Sequence, residues 1–298
     1  MEAPRRADVK VGFACNNRCV FCAQGERRGV CGAVPFEELL ERLAEVRRST
    51  RSLVLTGGEP TVHRRIVALV QAAARLGFHP IQLQTNGRML AYPKVLDALV
   101  SAGLTEVSPS LHGSTPDIHD ALTRCEGSWR ESAEGIRNAV ISGLPVVTNS
   151  VITRRNVDDL PELVALLATL GVFRAQLAFV HPVGTAAVEF DAVVPRLSDV
   201  VGPLGRARAI ALSAGMTLVT EAVPYCFLRG MESLCVEADI PATTVVEMRG
   251  EVCDYSRWRV AEGKAHGPPC EGCAARTRCE GPWREYPARF GWGEFIPL

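Results

Sequence analysis

The sequence predicts an α/β protein: a curved, open, partial (β/α)6 barrel of the TIM type over residues 1–215, then a small metal-organised domain over residues 216–298. Three observations predict it. Short apolar runs alternate with longer amphipathic segments, and strands alternating with helices imply a parallel sheet with right-handed crossovers. The alternation gives six units, short of the eight of a closed barrel. From about Met216 the composition changes, and six of the 11 cysteines lie beyond that point.

Strands are expected at Val9–Phe13, Ser52–Leu55, Ile81–Thr85, Glu106–Leu111, Pro145–Ile152 and Arg174–Val180. Their Val, Ile, Leu and Phe content suits strands buried on both faces. Between the first two, Phe36–Arg47 sets Phe36, Leu39, Leu40, Leu43 and Val46 on one helical face, with Pro35 suited to its first turn. Ile66–Leu76, Val95–Ala102, Trp129–Ser142 and Asp158–Leu170 each run to a glycine, the residue that caps helix C-termini. Leu197–Ser213 is a helix after the sixth strand, and Met216–Val223 reads as one further strand. A doubly wound sheet shares this rhythm and is the alternative.

Composition bounds the function. With 298 residues, 47% of them hydrophobic, the chain has enough apolar matter for a sizeable core, which excludes wholesale disorder. Lys plus Arg and Asp plus Glu both number 33, so the basic excess of a general nucleic-acid binder is missing. The opening MEAPRRADVK has no apolar run of the signal-peptide kind, and no stretch approaches the roughly 18 apolar residues of a membrane span. The expectation is a cytoplasmic chain with neither a membrane nor a nucleic-acid partner. In a reducing compartment its cysteines point to metal ligation or catalysis rather than to disulfides.

Cys15-Asn16-Asn17-Arg18-Cys19-Val20-Phe21-Cys22 follows the first expected strand directly, where α/β barrels build their active sites. Spacings of three and two residues allow three thiolates to wrap one Fe–S cluster. Three ligands leave one iron open, as a catalytic metal site requires. On spacing alone, part of a zinc site is the alternative. Further polar or glycine-rich motifs end the later strands in order: Thr56-Gly57-Gly58-Glu59-Pro60, Thr85-Asn86-Gly87, Ser108-Pro109-Ser110-Leu111-His112-Gly113, Thr148-Asn149-Ser150 and His181-Pro182-Val183-Gly184. The paired glycines allow close backbone approach.

The three-cysteine loop, with the aromatic Phe21 before its last cysteine, resembles that of the radical SAM superfamily. The later motifs extend the resemblance: Gly57, Gly58 and Glu59 match the family's GGE element, which holds the amino group of S-adenosylmethionine (SAM). Ser110 stands where family members contact the ribose and carboxylate of SAM. Asn149 and His181 are further candidate SAM contacts, each of the three against a plain packing or turn role, and His181-Pro182-Val183-Gly184 resembles a turn of the molybdopterin-precursor cyclases. The resemblance implies a [4Fe–4S] cluster on Cys15, Cys19 and Cys22 that binds SAM. Reduction by a donor of the flavodoxin or ferredoxin type then yields methionine and a 5′-deoxyadenosyl radical, which takes hydrogen from a substrate. Such chemistry belongs to the cofactor, while the protein supplies orientation and a dry site.

Cys270-Glu271-Gly272-Cys273, followed by Cys279, resembles the SPASM and twitch extensions that carry auxiliary [4Fe–4S] clusters. A full SPASM domain has a cysteine where this chain has Trp283. The resemblance therefore implies one auxiliary cluster in a shortened domain. Its ligands are Cys270, Cys273 and Cys279, with Cys226 as the fourth and Cys253 as the alternative; a four-cysteine zinc site is the competing reading. Cys31, Cys125 and Cys235 remain. Cys125, in the loop after the fourth strand, is a candidate hydrogen donor to a product radical, against plain packing. His119 and Asp120 are read as capping the next helix.

The substrate is expected to be a small molecule or cofactor precursor, on the cyclase-like motifs and on the 14 residues before Cys15, which leave no separate peptide-recognition domain there. Peptide or protein modification is the second expectation, on the SPASM-like cysteines. A non-catalytic Fe–S or zinc protein is the third, and the Gly-Gly-Glu element argues against it.

Overall fold

The computed structural model describes residues 5–25, 27, 32–249 and 252–298. Its elements run β1 (Arg5–Lys10), α1 (Phe36–Val46), β2 (Ser52–Thr56), α2 (Ile66–Arg75), β3 (Ile81–Thr85), α3 (Pro93–Ser101), β4 (Glu106–Pro109), α4 (Pro116–Thr123), α5 (Ser128–Ile141), β5 (Val147–Ile152), α6 (Leu160–Thr169) and β6 (Arg174–Phe179). Two single turns, α7 (Thr185–Val188) and α8 (Phe190–Val193), lead to α9 (Leu197–Ser213). Then come β7 (Thr217–Glu221), β8 (Ala242–Val246), β9 (Val252–Asp254), the single turn α10 (Tyr255–Trp258) and α11 (Glu285–Phe290). Cys31 lies outside the described residues.

The strands form two sheets, ordered β4-β3-β2-β1-β8-β9 and β5-β6-β7. All pairings are parallel except β8 with β9. Two isolated parallel bridges, Val107 to Val146 and Ser110 to Asn149, join β4 to β5. The result is the predicted parallel arc wrapped by helices, a partial TIM-type barrel. Among the described residues no pairing closes it. The boundary expected at residue 216 falls between α9 and β7. Strands on its far side enter the arc, since β7 pairs with β6 and β8 pairs with β1.

Two expectations need correction. The first strand is Arg5–Lys10, not Val9–Phe13. A strand buried on both faces carries a continuous apolar run, whereas β1 alternates: Ala7 and Val9 are fully buried while Arg6, Asp8 and Lys10, which alternate with them, are partly exposed. The same period-two pattern runs through β3, β5 and β6, so these strands are not apolar on both faces. One face packs into the core with the helices, through Leu53, Leu55, Leu83, Val107 and Leu177. The other carries Arg6, Asp8, Lys10, Gln82, Gln84, Asn149 and Gln176. These residues pair across strands: Thr56 Oγ1 donates to Gln84 Oε1 at 3.2 Å, Gln82 Nε2 to Glu106 Oε2 at 3.1 Å, and Gln176 Nε2 to Glu221 Oε2 at 2.7 Å. The barrel's second face is polar.

Candidate active site

The cysteine loop leaves β1 and is held on four sides. Gly58 N donates to Gly12 O and Glu59 N to Ala14 O, both at 2.8 Å. A Cβ on Gly58 would sit 2.4 Å from Phe13 O and 2.5 Å from Ala14 O, and one on Gly57, whose φ is +139°, 2.2 Å from Gly12 O. The close approach that the paired glycines permit is therefore to the root of the cysteine loop itself. From α4, the carbonyls of Thr123 and Leu122 accept from Arg18 N at 2.8 Å and Val20 N at 2.9 Å. From β6, Thr185 N donates to Cys22 O at 3.0 Å, and a Cβ on Gly184 would meet Cys22 O at 2.5 Å. From β3, Asn86 Nδ2 donates to Asn16 Oδ1 at 2.6 Å, and Arg88 reaches Asn16 and Asn17.

Cys15, Cys19 and Cys22 are all half-buried on this loop. Asn17 N donates to Cys15 Sγ at 3.4 Å, the kind of amide-to-sulfur bond that steadies a ligating thiolate. Phe21 is buried and packs edge-on against His112, with centroids 4.7 Å apart.

Glu59 is buried with its carboxylate fully engaged. Oε1 accepts from Thr61 N at 3.0 Å, Thr61 Oγ1 at 2.5 Å and Thr85 Oγ1 at 2.6 Å, and Oε2 accepts from Asn86 N at 2.6 Å. Burial raises its pKa, opposed by these bonds. Glu59 thus ties the end of β2 to the end of β3.

Ser110 and Asn149 face each other across the β4–β5 bridge. The Asn149 Oδ1 is enclosed and, among the described residues, accepts no hydrogen bond, an acceptor that suits a donor on a ligand. His181 stacks on Trp283 at 3.8 Å and 11°, and its Nε2 lies 3.6 Å from Glu285 Oε2. It joins the end of β6 to the C-terminal segment. Lys264 Nζ lies 4.1 Å from the Trp283 ring centroid.

Cys125 Sγ accepts from Arg88 Nη1 at 3.2 Å, which puts it against the cysteine loop's neighbours. Asp120 caps α5 as expected, through Gly127 N, Ser128 Oγ and Trp129 N at 2.7–2.8 Å. His119 does not cap that helix: its Nδ1 accepts from His112 N at 3.0 Å, because the ring stacks inward on His112. In the sequence Asn86 stands out only as part of a strand-end motif, and Arg88 does not stand out at all. The available signal was a cation directly after a strand-end Asn-Gly.

In the C-terminal region, Cys226, Cys270, Cys273 and Cys279 line one cavity. Cys226 sits on the turn after β7, Cys270 ends the turn Pro268–Cys270, and Gly281 N donates to Cys279 Sγ at 3.4 Å. Burial, reinforced by the three neighbouring thiols, pushes the Cys226 thiol up to about 12. A coordinated metal would reverse that, since it deprotonates a ligating thiol outright. Cys253 lies on β9, beside Glu247, Asp254 and Glu262. Among the described residues, no three His, Cys, Asp or Glu side chains converge closely enough to grip a single metal ion. No helix there is long and apolar enough to cross a membrane.

Comparisons with known proteins agree with this geometry. Residues 9–167 match the Radical SAM superfamily. A "Probable GTP 3',8-cyclase" of Saccharolobus solfataricus is 34% identical over 185 residues, 61% of this chain and 59% of that protein. The match thus spans about three-fifths of the curated relative's length. Among solved structures, SuiB of Streptococcus suis bound to S-adenosylmethionine is similar over 99% of this chain and 76% of its own, with TM-score 0.70 and 15% identity. Native anSMEcpe with bound AdoMet is similar over 94% and 90%, with TM-score 0.68 and 15% identity. A family match over more than half of the sequence, on a loop and strand ends assembled at one barrel mouth, leads to one assignment: this chain belongs to the radical SAM superfamily of enzymes.

Proposed function

We propose that the protein reductively cleaves SAM and uses the resulting radical to abstract hydrogen from a polar small molecule or cofactor precursor. The observation that carries the proposal is the joint packing of the three-cysteine loop and the Gly57-Gly58-Glu59 element. The two motifs share backbone hydrogen bonds, so one fixed frame presents three thiols and the strand-end groups together. When bound, a reduced [4Fe–4S] cluster supplies the electron that splits SAM into methionine and a 5′-deoxyadenosyl radical. The donor set fits that group, with three half-buried thiols on one loop and an amide directed at Cys15 Sγ.

The chain's own residues do the rest. Cys15, Cys19 and Cys22 hold the cluster. Gly57, Gly58 and Glu59 shape the ledge beside it, Phe21 closes the apolar side, and Asn149 Oδ1, Ser110 and His181 are the candidate SAM contacts. The polar strand face below offers hydrogen bonds to a hydrophilic substrate. Residues 1–215 and 216–298 are proposed as the catalytic and auxiliary domains, with β7 and β8 of the second entering the arc of the first. Cys226, Cys270, Cys273 and Cys279 are proposed as ligands of one auxiliary [4Fe–4S] cluster, supported by their shared cavity. A flavodoxin- or ferredoxin-type donor in the cytoplasm would supply electrons.

The partial likeness to a probable GTP 3',8-cyclase favours a cofactor-precursor substrate. A second reading, peptide or protein modification, is favoured by a fold match that extends through the C-terminal region to SuiB, also solved with its precursor peptide SuiA. The test is anaerobic reconstitution, reduction and chromatography of the products. SAM should give 5′-deoxyadenosine, and Cys15→Ala, Cys19→Ala and Cys22→Ala should each abolish it. A wild-type protein with its cluster intact and no 5′-deoxyadenosine would overturn the reading. A substrate screen then separates the small-molecule from the peptide reading.

A further inference from the structure

The Cys15–Cys22 loop is clasped by a cation. Arg88 opens the turn after β3. Its Nη1 lies 2.5 Å from Asn16 O, 2.9 Å from Asn17 Oδ1 and 3.2 Å from Cys125 Sγ. Its Nε donates to Glu131 Oε2 on α5 at 2.6 Å, which fixes the far side of the guanidinium. Asn86 joins the same clasp through Asn16 and receives support from Glu59. The side chain is largely enclosed, at 14% exposure, so little water screens its charge. Of its four partners, Asn16 and Asn17 lie between Cys15 and Cys19, and Asn17 donates its own amide to Cys15 Sγ.

We propose that Arg88 is a positioning residue for the cluster loop, and that its guanidinium raises the reduction potential of the cluster held by Cys15, Cys19 and Cys22. This inference rests on the function proposed above. Reduction adds one electron to the cluster and breaks no bond, so a nearby fixed positive charge stabilises the reduced form. Hydrogen bonds to the ligating sulfurs act in the same direction. Loss of Arg88 removes the charge and the hydrogen bond to Asn17 Oδ1, and both changes make reduction harder. Glu131 neutralises part of the charge from the outer side, whereas the loop faces the guanidinium directly. Cys125 serves here as an acceptor that helps to seat the guanidinium.

The test compares wild type, Arg88→Gln and Arg88→Lys as reconstituted full-length protein. The cluster signal that changes on adding SAM is followed by EPR during a redox titration against dithionite. Wild type must first load iron and cleave SAM; failure there sinks the functional reading and this inference with it, whereas failure confined to the variants' midpoints bears on this inference alone. Arg88→Gln is expected to raise the oxidised-to-reduced ratio of that cluster about tenfold at a fixed potential, a shift of about 59 mV for one electron. Arg88→Lys, which keeps the charge but not the fork, should stay within about threefold of wild type. Loading by Lys but not Gln also supports the clasp. A fully loaded Arg88→Gln with an unmoved midpoint overturns the proposal. So does equal failure of both variants to load, because the charge would then be irrelevant.

Discussion

His112 and His119 stack at 5.6 Å behind Phe21, buried and neutral. Each Nδ1 accepts a backbone amide, from Val151 and His112 respectively, and so carries no proton. Burial, then the charge of Arg88, lowers the His119 pKa to about 3; burial, then His119, puts His112 well below its usual value. Depressed values mean that the unfolded chain binds protons the folded chain refuses. The stability contribution is complete above about pH 6.5 and is lost as pH falls below it. Between pH 7.5 and 5.5 each histidine should cost about 1.4 kcal/mol. Urea midpoints at the two values measure this, and His119→Asn, which keeps an acceptor, should remove about half of the loss. An unchanged slope would show that His119 does not resist protonation.

At the scale of elements, two helical glycines should respond in opposite ways to alanine. In α5, a Cβ on Gly135 would lie 2.1 Å from Gly87 O, on the loop that carries Asn86 and Arg88. Gly135→Ala should destabilise by about 2 kcal/mol and displace that loop. In α9, the nearest atom to a Cβ on Gly205 is Met231 Sδ at 3.7 Å, so Gly205→Ala should stabilise by up to about 1 kcal/mol. Thermal unfolding of both variants checks the signs. Elements were legible in the sequence where helical periodicity was long: Leu197–Ser213 has the predicted ends, and α1, α2 and α5 lie within one residue at each end of the expected bounds. What escaped was polar. β1 was displaced because Asp8 and Lys10 interrupt its apolar pattern. β8 and β9 escaped because they are short, and because β8 joins β1 from more than two hundred residues away and β9 joins only through β8. The strand-end motifs were local and readable. Arg88 was not, because its role depends on where Asn16, Asn17, Cys125 and Glu131 meet in space.

For the whole molecule, the four-thiol cavity makes a prediction about metal content. Cys226→Ala should lower bound iron from about eight to about four per chain, whereas Cys253→Ala, on β9, should leave it near eight. Iron and sulfide assays after reconstitution decide this; equal losses in both would refute the ligand assignment. The two sheets raise a different matter. Among the described residues, β4 and β5 share no continuous ladder, and their strand pairing is limited to the bridges at Val107–Val146 and Ser110–Asn149, whereas each neighbouring pair shares one. The barrel is therefore two half-shells with a spine along that line, and the spine is thin. A ligand gripped by Ser110 and Asn149 would rivet the shells together at their weakest join. Amide hydrogen exchange along β4 and β5 should then slow on adding SAM more than along β2 and β3, so that loading the cofactor also completes the wall of the vessel that contains its radical.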